Sequence, residues 1–175
     1  APPCEMYEVT IPTADRSLAG RLRRLSVLSQ LKFRPASAEA VFWQLPERYG
    51  RILEAARLHE PDVWLANDWM MLPIAARLAL SRGTPFIYDM HEFAYDEFPD
   101  DWKWRYFMRS LVRSIEASYI DKAAAICCVS DGISREVDRV YGLRRKPLVI
   151  RNLPKYEPYA FRPTGSQIQV LYHGL

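Results

Sequence analysis

Polar residues that could hold or act on a ligand collect behind four short apolar segments. Asn67 and Asp68 follow residues 63–66, and Asp89, His91 and Glu92 follow residues 86–88. Ser130 and Asp131 follow residues 125–129, and Arg151 and Asn152 follow residues 148–150. His91 is the sharpest candidate, because imidazole changes charge near neutral pH and can donate hydrogen bonds to a hydroxyl or a phosphate. It can equally tie its loop to Asp89 or Glu92. Asn67, Asp68 and Ser130 precede helix-like stretches, so each can cap a helix as well as touch a ligand. The acidic residues Asp96, Glu97, Asp100 and Asp101 read as a solvated loop. His91-Glu92 is not a zinc-protease pair, because the position for the second histidine is Tyr95. No metal ligand set is predicted.

Other chemistries are excluded by what the sequence lacks. The 7 glycines include no pair separated by one residue, so there is no Gly-x-Gly-x-x-Gly loop, and no Gly-x-x-x-x-Gly-Lys loop occurs either. No serine sits in a Gly-x-Ser-x-Gly elbow. The 3 cysteines (Cys4, Cys127, Cys128) form no Cys-x-x-Cys pair, which argues against a structural zinc site, a thioredoxin motif or a disulfide scaffold. A reducing cytosol suits them better than secretion.

The elements that must position the polar residues alternate in period. Residues 63–66, 86–89, 125–129 and 148–151 read as short buried strands, and residues 6–11 and 168–172 as two more. Helical spacing covers residues 17–31, where Leu18, Leu22, Leu25 and Leu28 recur at threes and fours. It also covers residues 38–58, divided by Pro46 and Gly50, and residues 72–80, ended by Gly83. A long helix over 101–122 starts from an Asp100 or Asp101 cap, and one from Ser130 to about Tyr141 ends at Gly142. Wholly apolar strands separated by helices predict a parallel sheet covered on both faces. The fold class is therefore α/β, a doubly wound, mostly parallel Rossmann-like sheet. In such sheets ligands bind outside the carboxyl ends of the strands, where the polar residues fall.

At 175 residues the chain suits one domain with a stub of another. Hydrophobic residues at 49% and charged residues at 26% are ordinary for a globular protein. A net charge of +3 is too mild to argue for nucleic acid. The longest apolar run, residues 69–76, is far short of the ~20 residues that span a bilayer. The start of the chain reads as lacking a secretory signal. Residues 15–34 carry six basic side chains against Asp15 alone. Leucines interleave with Arg21, Arg23 and Arg24, so this helix could rest on an anionic membrane surface.

Five stretches resemble the retaining glycosyltransferases of family four, enzymes with two facing Rossmann-like domains (the GT-B architecture). They are Pro61-Asp62-Val63-Trp64-Leu65-Ala66-Asn67-Asp68-Trp69, Pro85-Phe86-Ile87-Tyr88-Asp89-Met90-His91-Glu92 and Ile126-Cys127-Cys128-Val129-Ser130-Asp131-Gly132-Ile133. Tyr141-Gly142 with Lys146-Pro147-Leu148-Val149-Ile150-Arg151-Asn152-Leu153-Pro154 is the fourth, and Val170-Leu171-Tyr172-His173-Gly174-Leu175 is the fifth. The resemblance runs from about Asp62 to the end, and Asn67 stands where many members have His.

The resemblance implies that the chain is the N-terminal, acceptor-side half of an enzyme that moves a sugar from a nucleotide-sugar donor to a glycan or lipid-linked acceptor. A role in cell-envelope polysaccharide synthesis is expected. It implies His91 as the catalytic-centre residue, near the transferred sugar and diphosphate. Asn67, Asp68, Asp89, Glu92, Ser130, Arg151 and Asn152 are the expected substrate contacts, with no metal and no cofactor beyond the donor co-substrate. The expected domains are an N-terminal unit over 1–154 lacking its first strand, a linker over 155–166, and the first strand of a donor-binding domain over 167–175. This chain alone is then expected to be inactive, and the enzyme to be cytoplasmic, with peripheral attachment at the inner membrane face as the accompanying expectation. The alternatives are a sugar-nucleotide epimerase of the same architecture and a non-catalytic α/β binding module.

Overall fold

The computed structural model of the chain describes residues 8–10, 17–33, 38–44, 48–158, 160, 163 and 165–167. Three helices come first: α1 (Leu18–Phe33), α2 (Ala38–Gln44) and α3 (Arg48–Ala56). Strands and helices then alternate as β1 (Trp64–Asn67), α4 (Asp68–Arg82), β2 (Phe86–Met90), α5 (Arg109–Tyr119), β3 (Ala125–Cys128), α6 (Asp131–Tyr141) and β4 (Leu148–Val149). The four strands form one parallel sheet in the order β1-β2-β3-β4. The α/β, parallel, Rossmann-like class is the one predicted.

That strand order decides which face is covered. Right-handed crossovers that all step in one direction leave their helices on one side of the sheet. The register puts Ala66, Tyr88 and Ile126 in one row of that face, and all three are buried. Phe86, Met90 and Cys128 on the same face are buried too. The opposite face carries Leu65, Ile87, Ala125 and Leu148, of which Leu65 is 61% and Leu148 58% exposed. Among the described residues, therefore, two-sided cover of the strands is met on one side. On the covered side a further layer forms. Phe42 of α2 is fully buried, stacked on Tyr49 of α3 with ring centroids 4.4 Å apart and meeting Trp69 of α4 edge-on at 6.3 Å.

Local sequence explains most boundaries. Ser17 caps α1 by accepting the Gly20 N–H at 3.0 Å. Asp101 Oδ1 accepts the Lys103 N–H at 2.7 Å and starts the long helix. That helix contains a π turn over Trp104–Met108 and closes in a 3-10 turn over Ile120–Lys122. Gly142 ends α6 at φ 60°, a left-handed conformation in which a side chain costs about 1 kcal/mol. Its N–H reaches the Asp138 carbonyl at 2.8 Å.

Some boundaries differ from those predicted. Gly50 lies inside α3 rather than dividing it, because one glycine costs a helix only about 1 kcal/mol. Pro46 is outside the described residues. Residues 8–10 form no strand, while the rest of the predicted strand over 6–11 and the whole of that over 168–172 lie outside the described residues.

Candidate functional site

The sheet is parallel, so the carboxyl ends of all four strands open on the same edge. His91 follows β2, and its Nε2 lies 3.3 Å from Asp89 Oδ2. The His91 side chain is 47% exposed, so Asp89 steadies the ring without removing it from solvent. Ser130 joins β3 to α6, and its hydroxyl accepts the Ile133 N–H at 3.2 Å. Behind β4, Arg151 pairs with Asp131 at 2.6 Å and so ties the post-β4 segment to the first turn of α6.

These residues surround one cleft of about 500 Å³, lined by His91, Glu92, Val129, Ser130, Arg151, Asn152 and Leu153. The structure thus brings together His91, Glu92, Ser130, Arg151 and Asn152 as the sequence predicts, with Asp89 behind His91. Val129 and Leu153 are additions that supply apolar wall. A second cavity of about 160 Å³ lies at the other end of the strands, where Arg145 donates to the Ala123 and Ala124 carbonyls. It contains none of the predicted site residues.

Asn67 and Asp68 end β1 outside the cleft lining. Asn67 is exposed and its side chain makes no cap bond, so the simple capping alternative does not hold for it. Asp68 has φ 64°, left-handed backbone that aspartate tolerates better than most residues and that turns the chain sharply from strand to helix. Arg21 of the basic helix is exposed, and the side chains of Arg23 and Arg24 lie outside the described residues.

The cleft edge is rich in carboxylates. Glu97, read from sequence as solvated, lies against Glu92. Its carboxyl is held above the usual range by partial burial first, then by the charge and hydrogen bond of Glu92 and by Asp68. Nothing in its local sequence marks it, because a turn of 3-10 helix over Ala94–Asp96 brings the chain back. Glu92 lines the cleft, Glu97 lies against it, and Asp89 and Asp131 pair with His91 and Arg151 at its edge. Such a rim accepts hydrogen bonds from hydroxyl groups and disfavours an unaccompanied anion.

Ser130 is engaged as a cap. Removing the hydroxyl in Ser130→Ala is expected to cost about 1 kcal/mol, and Ser130→Asp should recover most of it. Urea denaturation of the two variants measures this, and equal midpoints for Ser130→Ala and the parent would refute the cap's importance.

Beneath the site is a polar group that the sequence does not reveal. Glu116 of α5 is fully buried. Tyr88 of β2 donates its hydroxyl to Glu116 Oε1 at 2.6 Å, and Tyr141 of α6 donates to Oε2. Burial raises the Glu116 carboxyl above its ordinary value, and the two tyrosine hydrogen bonds pull it part of the way back. Burial, then the Glu116 charge, pushes both tyrosines up. The carboxylate joins the strand that carries Asp89 to the helix that carries Asp131.

Residues 5–152 match the family model described as a glycosyl transferase 4-like domain. The match starts well before Asp62, where the sequence resemblance begins, and ends at Asn152, the last residue of the cleft except Leu153. No curated protein matches the chain.

Proposed function

This chain belongs to the glycosyl transferase 4-like domain family, and from that premise we propose that it forms the acceptor-side half of a retaining sugar transferase. The observation that carries the reading is the meeting of Asp89–His91, Ser130, Arg151 and Asn152 around one cleft at the carboxyl edge of the sheet. The carboxylate rim supports a hydroxyl-rich acceptor on this half, with the nucleotide sugar held mainly by a second domain facing it. Domain limits of 1–154, a linker over 155–166 and a second domain from 167 belong to the same proposal.

In this reading the bond from the anomeric carbon to the diphosphate breaks while the acceptor oxygen bonds to that carbon on the same face, and the acceptor hydroxyl's proton passes to the departing diphosphate oxygen. The chemical demand is to stabilise the departing diphosphate and an oxocarbenium-like centre. His91, steadied by Asp89, donates a hydrogen bond to the diphosphate as it departs. Asn152 and Arg151 stand on the opposite wall, where a donor held by the second domain would meet this half. Glu92 accepts from acceptor hydroxyls in the cleft, and Asn67, outside its lining, serves an acceptor that extends to the end of β1. No resident cofactor is required, because the donor is a co-substrate. The cysteine usage and the lack, among the described residues, of any helix long and apolar enough to cross a membrane accord with work on the cytoplasmic side. The product is proposed to be a cell-envelope glycan.

Isothermal titration of this chain with nucleotide sugars tests the division of labour. Binding is expected to be weaker than about 1 mM, since the cleft offers an anion one already paired guanidinium. Transfer by this chain alone should be absent. Micromolar binding of a nucleotide sugar would overturn the acceptor-side assignment.

A further inference from the structure

The N-terminal half of helix α1 carries three leucines that face outward. Among the described side chains of α1, Val27 is the one buried against the core. At 100° per residue, Leu18, Leu22 and Leu25 lie 140–180° away from Val27 on the opposite side of the helix. All three are exposed, Leu18 by 73%. A helix at the surface of a globular domain ordinarily faces its leucines inward. Arg21, also exposed, lies next to the leucine stripe.

The element adjoining α1 has the same character. α1 packs against the π turn over Trp104–Met108. Around that turn Trp102 is 64% and Tyr106 54% exposed. Lys103 lies 5.8 Å from the Trp102 ring centre, and Arg105 is exposed. Asp100 and Asp101 are the opposing charges here, and Asp101 is engaged in capping the helix. Residues 15–34 carry six basic side chains against one acidic. Leucines, a tryptophan and a tyrosine beside arginines and a lysine are the groups that settle at the boundary between acyl chains and anionic headgroups.

We propose that the outward leucine face of α1, with Trp102 and Tyr106, docks this domain on an anionic lipid bilayer. A bilayer fits better than a second copy of the chain, because two copies would bring their basic residues together. The lipid is recognised by its negative surface charge and by the depth to which side chains of this size enter. The assignment does not depend on the transferase reading, since the readout is binding and no sugar is involved.

The test is sedimentation of the full chain with vesicles of phosphatidylcholine and phosphatidylglycerol at 7:3, and with pure phosphatidylcholine vesicles. Binding is expected to the charged vesicles at least about tenfold more strongly, and to weaken severalfold between low and high salt. The triple variant Leu22→Ser, Trp102→Ser, Tyr106→Ser should lose about tenfold or more in partitioning. Its circular dichroism should be unchanged, because all three side chains are exposed. Leu65→Ser, on the open sheet face, should bind as the parent does. Equal binding by the triple variant, loss of binding in Leu65→Ser, or indifference to lipid charge would each overturn the proposal. So would a dimer in sedimentation equilibrium that the triple variant abolishes while vesicles bind neither protein.

Discussion

His91→Ala, made in the intact transferase, is expected to lower sugar transfer by about 100- to 1000-fold, the range seen when one preorganised donor to a developing negative charge is removed. The fold should be indifferent, because the side chain is half exposed and its one charged contact, Asp89, remains solvated on its removal. A change in unfolding free energy within about 0.5 kcal/mol is anticipated. The loss should appear in kcat more than in KM, since a hydrogen bond that strengthens as the diphosphate departs acts on the transition state. The assay is initial-rate transfer at saturating donor, with thermal melting of the same preparation. Retention of transfer within threefold of the parent would remove His91 from the reaction and leave it as a tether for its loop.

Glu116→Ala should be strongly destabilising, at about 3–5 kcal/mol, a large share of what a domain of this size possesses. It leaves the Tyr88 and Tyr141 hydroxyls without their acceptor and opens a void among α5, α6 and β2. Glu116→Gln keeps the volume and one acceptor oxygen, and about 1–2 kcal/mol is expected. The two variants also differ from the parent in pH dependence. The folded carboxyl titrates above its ordinary value of 4.5, so between that value and the raised one the native state holds a proton that the unfolded chain has released. Stability from this group is thus full below pH 4.5 and falls as pH rises through the raised value, a slope that Glu116→Gln should remove. Guanidinium denaturation across the acid to neutral range measures both effects. A Glu116→Ala variant within 1 kcal/mol of the parent would show that the buried carboxylate holds nothing together.

The site edge was legible in the sequence for a simple reason. In a parallel sheet every strand points the same way, so the residue after each apolar run falls on the same edge whatever the strand order. Asp89, His91, Ser130, Arg151 and Asn152 are therefore found from local pattern alone. The caps at Ser130, Gly83 and Gly142 were legible too, and the choice between Asp100 and Asp101 falls to Asp101, because capping depends on residues within one turn of each other. Asn67 is the exception, since its place before a helix is local but its side chain makes no cap bond.

What escaped the sequence joins positions far apart in the chain. Tyr88 and Tyr141 reach Glu116 across 28 and 25 residues, and Arg151 reaches Asp131 across 20. A glutamate in an amphipathic helix looks the same whether it faces water or a pair of tyrosines. Glu97 likewise gains its partner only when the loop folds back on Glu92.

The sequence by itself determined the α/β class, the four strands of the sheet, most helix ends and the edge that carries the polar residues, because each follows from periodicity and neighbours within a turn or a strand. The tertiary structure alone decided which of those residues share a cleft, which carboxylate is buried and which side of α1 meets solvent. Packing made those choices, and packing depends on which distant surfaces meet, which no local pattern encodes.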